Sequence, residues 1–364
     1  METPGVDAAL AAPADSLAAS LPPTFTRPRT AVRIFRGTLV YTCILTGIWL
    51  YFLITRRDGG LLFGDYKLDG PAIGRIAGGF IVGTLIWGFI WFGIRWLLLR
   101  HAAGFSRQEL AAVFRSRMNE PFDLAPFLAS HSERLIRVID MAGRRGRFIT
   151  LGFVYFLFVH NNITANPDSQ HFITGLQQGL VDAVAFCWIT LAAYYSDGFF
   201  GRVVLGAQAR LMDGSLARAN CLLIGTLWSA FKFVMVPIGI QLTARFPPQT
   251  YAALFAFIWI TYQASDALSE IVGSLLGKQK LRVWGIGDVN RKSVAGTWAC
   301  FLGSLAVCLW IISIHHLPLP WYGLALVVSV SNTAFELFSP RGTDDFTMAT
   351  ANALLCWGFG ALVY

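Results

Sequence analysis

Between Asp266 and Asp345, three polar clusters interrupt sequence that is otherwise strongly apolar. The first is Asp266-Ala-Leu-Ser-Glu270, followed by Gly273, Gly277 and Lys278; the second is Asn290-Arg291-Lys292-Ser293-Val-Ala-Gly296-Thr297; the third is Glu336-Leu-Phe-Ser339-Pro-Arg341-Gly342-Thr343-Asp344-Asp345. Asp266 and Glu270 are four residues apart, so on a helix both carboxylates share one face. Hard oxygen ligands of that kind suit Mg²⁺, which takes one or two carboxylates and fills its octahedron with waters and phosphate oxygens. Gly273 and Gly277 leave the same face bare, which either admits a phosphate to the backbone or lets a neighbouring helix pack closely. Lys278, Lys280 and Arg282 follow as cations.

In the second cluster Arg291 and Lys292 precede a helix start at Ser293, where unpaired amides and a partial positive charge make a natural seat for a phosphate. Topological anchoring explains the two cations equally well, but not the order Asn290, Ser293, Gly296, Thr297. In the third, Asp344 and Asp345 stand where acidic residues commonly cap a helix, whereas Glu336 closes an almost wholly apolar run. The candidate metal ligands are Asp266, Glu270, Glu336, Asp344 and Asp345, and with the cations they form the inventory needed for a nucleoside triphosphate and its Mg²⁺.

Membrane helices must position these residues. The 364 residues are 55% hydrophobic and 14% charged, against about 25% charged in soluble domains. Crossing roughly 30 Å of hydrocarbon takes about 20 helical residues. Nine runs approach that length, near 37–55, 76–99, 148–160, 172–195, 219–243, 250–268, 296–314, 321–338 and 346–363, the third being the shortest. The expected fold is all-α, a polytopic membrane protein with about nine transmembrane helices. A cytoplasmic N-terminus places 23 of the 29 Lys and Arg on the inner side, following the positive-inside rule. That distribution, and not nucleic acid, accounts for the net charge of +8. All three clusters then face the cytoplasm, and the expected location is a bacterial inner (cytoplasmic) membrane.

Residues 1–30 read as a disordered tail without a signal-peptide pattern, 31–250 as N-terminal membrane helices, and 251–364 as the helices carrying the clusters. Within the first unit, 101–147 is the one sizeable non-membrane segment. Ser106 and Glu109 fit a capping box ahead of Leu110, Val113 and Phe114. Residues 130–142 set Leu135, Ile136 and Ile139 against Arg134 and Arg137, with Arg144, Arg145 and Arg147 following, an amphipathic basic pattern suited either to an anionic leaflet or to simple anchoring. The six cysteines fall in apolar runs at no metal spacing and read as packing residues. Asp182 and Lys232, both inside predicted spans, are expected to pair. Ser196-Asp197-Gly198 faintly echoes Ser265-Asp266-Ala267.

The motifs resemble those of the CTP-dependent lipid-alcohol kinases, the family of dolichol kinase, phytol kinase and the yeast-type diacylglycerol kinase. The matching residues are Asp266, Gly273 and Gly277-Lys278; then Lys292-Ser293-Val-Ala-Gly296-Thr297; then Glu336, Ser339 and Asp344-Asp345, over about 265–350. Asp345 stands where the family usually has Asn, Glu270 where a small or acidic residue is expected, and residues 1–250 show no clear match. The resemblance implies phosphoryl transfer from CTP, with Mg²⁺, to a lipid alcohol arriving from the membrane. It implies catalytic roles for Asp266, Lys292 and Asp344, and nucleotide contacts from Gly273, Gly277, Lys278, Asn290, Arg291, Ser293, Gly296 and Thr297. A membrane cytidylyltransferase would need the same inventory; a lipid transporter would instead use Asp182 and Lys232 to line its path.

Overall fold

The computed structural model describes residues 28–55, 70–115, 129–142, 145, 169–196, 217–281, 283, 292–339 and 343–363. Regular structure among them is helical: α1 (Pro28–Thr55), α2 (Gly70–Leu97), α3 (Arg107–Arg115), α4 (133–142), α5 (Ser169–Tyr195), α6 (Ala217–Arg245), α7 (Pro248–Leu276), α8 (Val294–His315), α9 (Pro320–Phe338) and α10 (Asp344–Val363). Each predicted apolar run except 148–160 lies on one of these helices; 148–160, like Asp197 and Gly198 of the echo, is outside the described residues. Four helical stretches among the described residues are long and apolar enough to cross a bilayer, Ile81–Ala102, Cys221–Arg245, Val294–His315 and Asp344–Val363. Among the described residues the fold is helical, with the apolar helices of a membrane protein.

The centre of the C-terminal bundle is α7, packed against α6, α8, α9 and α10. From Tyr251 to Trp259 every one of its residues is buried, as expected of a helix that is apolar all round. Phe257 meets Trp321 of α9 edge-on at 5.5 Å between ring centres, and Phe231 of α6 stacks on Trp259. Two buried amides cross-link the bundle: Asn352 Nδ2 donates to Thr261 Oγ1 at 3.0 Å, and Asn332 Nδ2 donates to Ser304 Oγ at 2.9 Å. The outer faces of α8 and α9 are apolar and exposed, with Trp298, Leu302, Leu326 and Val330 turned outward. Such faces are at home in lipid.

A second bundle joins α1, α2, α5 and α6. Trp188 Nε1 of α5 donates to Thr46 Oγ1 of α1 at 2.9 Å, and Thr226 of α6 donates to Thr38 of α1 at 3.1 Å. Asp182 of α5 and Lys232 of α6 lie within electrostatic reach of each other.

The segment after α2 folds onto it. The helix widens into a π turn over Leu98–Ala102, and Gly104 then takes φ +74°, a left-handed conformation that glycine adopts without penalty. The expected capping box closes at α3: the Ser106 amide donates to Glu109 Oε2 at 2.6 Å, and the Glu109 amide donates to Ser106 Oγ at 3.1 Å. The Ser106 hydrogen bonds hold the Glu109 carboxyl down at about 2. Amphipathic α4 turns Ile136 and Ile139 into a cluster with Leu99, Phe105 and Leu110, so its apolar stripe is covered by protein. Arg134 and Arg137 stay exposed, and Arg137 Nε pairs with Glu133 one turn away at 2.9 Å.

Candidate active site

Helix α7 delivers Asp266 and Glu270 one turn apart at the end of its buried stretch. After it, the backbone of 279–281 pairs briefly with that of 292–294: Leu281 N–H donates to Lys292 O at 3.2 Å and Val294 N–H to Gln279 O at 3.1 Å. This clasp fixes Lys292 just ahead of α8. Ser293 then caps α8, its Oγ accepting from the Gly296 amide at 3.2 Å, while Thr297 Oγ1 donates back to Ser293 O at 3.0 Å. Glu336 lies in the last turn of α9, and Asp344 and Asp345 open α10.

These elements bring Asp266, Lys292, Glu336 and Asp344 together. Lys292 Nζ pairs with Glu336 Oε1 and lies 3.7 Å from Asp344 Oδ2. Ser269 Oγ also donates to Glu336 Oε1, at 2.8 Å. One carboxylate oxygen from each of Asp266, Glu336 and Asp344 lies within 4.8 Å of the others. Asp266 and Glu336 are only 2% and 4% exposed. Burial alone would pull Lys292 down, but the carboxylates of Glu336 and then Asp344 outweigh it and hold the ammonium above its ordinary value.

Of the remaining predicted ligands, Glu270 stands outside this triad, its Oε2 accepting from Arg145 Nε. Asp345, 5% exposed, lies within electrostatic reach of Asp266, Asp344 and Arg145. Among the predicted nucleotide contacts, Asn290 and Arg291 lie outside the described residues. Lys278 is exposed past the end of α7 and makes no ion pair among the described residues.

The glycines are used by helix packing. A methyl at Gly296 would sit 2.9 Å from the Ser269 carbonyl oxygen and 3.2 Å from the Gly273 Cα, and one at Gly277 would sit 2.4 Å from Ser293 Oγ. The bare face of α7 is thus covered by the start of α8, the second of the two roles its glycines allowed. Gly296→Ala would force the helices apart against backbone, and it is expected to cost about 1–3 kcal/mol, read as a lowered thermal midpoint in detergent.

Arg145, from the segment that follows α4 and in sequence one of the basic residues suited to a leaflet or to anchoring, belongs to this site. It is 5% exposed, and its Nη1 and Nη2 donate to the two oxygens of Asp266, the latter at 2.9 Å. Burial opposes its charge, yet Asp266 and Glu270 keep it well above the ordinary arginine value. In sequence it is one of a run of arginines beside a predicted span, indistinguishable from topological anchors.

Five carboxylates therefore face two cations, Arg145 and Lys292, among the described residues. Glu336 Oε2 is buried without a hydrogen-bond partner, an acceptor whose burial is costly unless a cation or donor meets it. A hard divalent ion fits that deficit: the donors are all oxygen, three can converge, and one is unmatched. Comparison with protein-family models, with curated proteins and with solved structures found no match.

Proposed function

We propose that this protein is a membrane lipid kinase, transferring the terminal phosphate of a nucleoside triphosphate to the hydroxyl of a lipid alcohol such as a polyprenol or a phytol-like alcohol. The observation that carries the reading is the meeting of Asp266, Lys292, Glu336 and Asp344, drawn from three segments far apart in sequence, in one partly buried cluster with an unmatched carboxylate oxygen. CTP as donor comes from the resemblance of the same three motifs to the CTP-dependent lipid-alcohol kinases.

In this reading Asp266, Glu336 and Asp344 would hold Mg²⁺, and Asp345 would add negative charge beside them. The ion, when bound, offsets the charge of the polyphosphate. Lys292, charged and aimed at the same point, meets the transferred phosphate and stabilises charge that builds on it. Lys278, Asn290 and Arg291 extend the contacts to the nucleotide's phosphates, and the cap at Ser293 with Gly296 and Thr297 fixes the start of α8. Asp344, the least buried carboxylate of the triad, accepts the proton of the attacking hydroxyl in this reading. The lipid chain lies against the apolar outer faces of the C-terminal helices. Nine spans with a cytoplasmic N-terminus set this site at the inner face of a bacterial cytoplasmic membrane.

The test is incubation of the purified protein, in detergent with Mg²⁺, with γ-labelled CTP, ATP or GTP and a panel of prenols, long-chain alcohols and diacylglycerol. Label entering lipid with release of the nucleoside diphosphate is the expected result. Pyrophosphate release would identify a cytidylyltransferase instead, and no turnover with any donor and acceptor would overturn the reading.

A further inference from the structure

A guanidinium withdrawn from water costs several kcal/mol unless anions surround it, so the partners of a buried arginine report what it is there to hold. Arg145 spends two N–H groups on both oxygens of Asp266 and a third on Glu270. Its rigid planar fork matches two carboxylates spaced one turn apart on α7, and a lysine's point charge cannot reproduce that contact. The Asp266 carboxylate so gripped is also the one that converges with Glu336 and Asp344. Its orientation decides whether the three oxygens meet.

The segment that delivers Arg145 is itself pinned. Five residues earlier, buried Asp140 accepts from Arg95 Nη2, and Arg95, near the end of α2, is only 2% exposed. Ile136 and Ile139 hold the same helix against Leu99, Phe105 and Leu110. A buried ion pair at Asp140 and a second at Arg145, five residues on, thus tie this short stretch of chain to α2 and to α7.

We propose that Arg145 is a positioning residue that holds Asp266 in its metal-binding orientation, and that the Arg95–Asp140 pair sets the register of the segment presenting it. The inference rests on the phosphotransfer reading and gives the 101–147 segment a part in building the site. A plain counter-ion would behave differently. Removing it would leave a more negative cluster that binds cations more tightly, whereas removing a positioning group at constant charge would weaken binding.

Mn²⁺ binding to the full-length protein in detergent, followed by loss of the free-ion electron paramagnetic resonance signal, separates the two without any turnover. Arg145→Lys, which keeps the charge and loses the fork, is expected to weaken Mn²⁺ binding about 10- to 100-fold. Asp140→Asn is expected to weaken it several-fold, with recovery in the exchanged pair Arg95→Asp with Asp140→Arg. Arg137→Gln, on the exposed face of α4, should leave it unchanged. Unaltered binding in Arg145→Lys, or tighter binding in Arg145→Gln, would overturn the inference and leave the kinase reading standing. Absence of Mn²⁺ binding by the unaltered protein would remove both. Should Arg145→Lys fail to fold, Asp140→Asn carries the test alone, and an unchanged constant there overturns the proposal.

Discussion

Asp266→Asn is expected to lower phosphotransfer about 10²- to 10³-fold in kcat while the protein still inserts and folds. The substitution is nearly isosteric, so the packing around a residue that is 2% exposed is kept. What disappears is one negative charge from the converging triad and one of the two carboxylates that accept hydrogen bonds from Arg145. Arg145 retains Glu270, and an amide oxygen can still accept one of its hydrogen bonds, so the stability loss should be far smaller than the catalytic one. Steady-state turnover alongside a thermal midpoint in detergent checks the split. Asp182→Asn serves as the contrast: it removes a carboxylate of the other bundle that lies within electrostatic reach of Lys232, so any loss should fall on the midpoint while kcat holds. Equal losses of stability and activity in both variants would reduce Asp266 to a structural role.

What the sequence disclosed about this molecule depended on how local each signal was. The Ser106–Glu109 box was readable because its donors and acceptors lie three residues apart, and it closes as written. The apolar runs mark helices for the same reason. Two opposite charges stranded in apolar sequence have few other partners, and the fold brings Asp182 and Lys232 within electrostatic reach of each other. The meeting of Asp266, Lys292, Glu336 and Asp344 followed only from assigning three helix ends to one face, a chain of inference that used the distribution of arginines. That same distribution concealed Arg145, since an arginine placed by topology and an arginine buried against two carboxylates look alike until the fold brings together residues 121 apart. The glycines of α7 had two uses equally consistent with their spacing. Only the position of Gly296 against Ser269 and Gly273 decides for packing.

Lys292 and Glu336 offer a sharper separation of structure from function than any single change. Lys292→Met would leave Glu336, 4% exposed, with Ser269 as its hydrogen-bond donor and a second oxygen already unmatched. Breaking a buried ion pair from one side costs about 3–5 kcal/mol. Lys292 keeps 27% of its side-chain exposure, so solvent screening reduces the expected loss to about 2–3 kcal/mol. Replacing both partners by apolar groups removes the stranded charge, and such exchanges are often neutral or stabilising. Lys292→Met with Glu336→Leu should therefore recover most of the lost midpoint. Activity should not follow, because the double variant has lost both the cation aimed at the phosphate and a carboxylate of the triad; a fall of about 10³-fold or more is expected in kcat/KM. A double variant that regains stability and turnover together would show that the pair merely holds α8 to α9, and the reactive centre would have to be sought elsewhere.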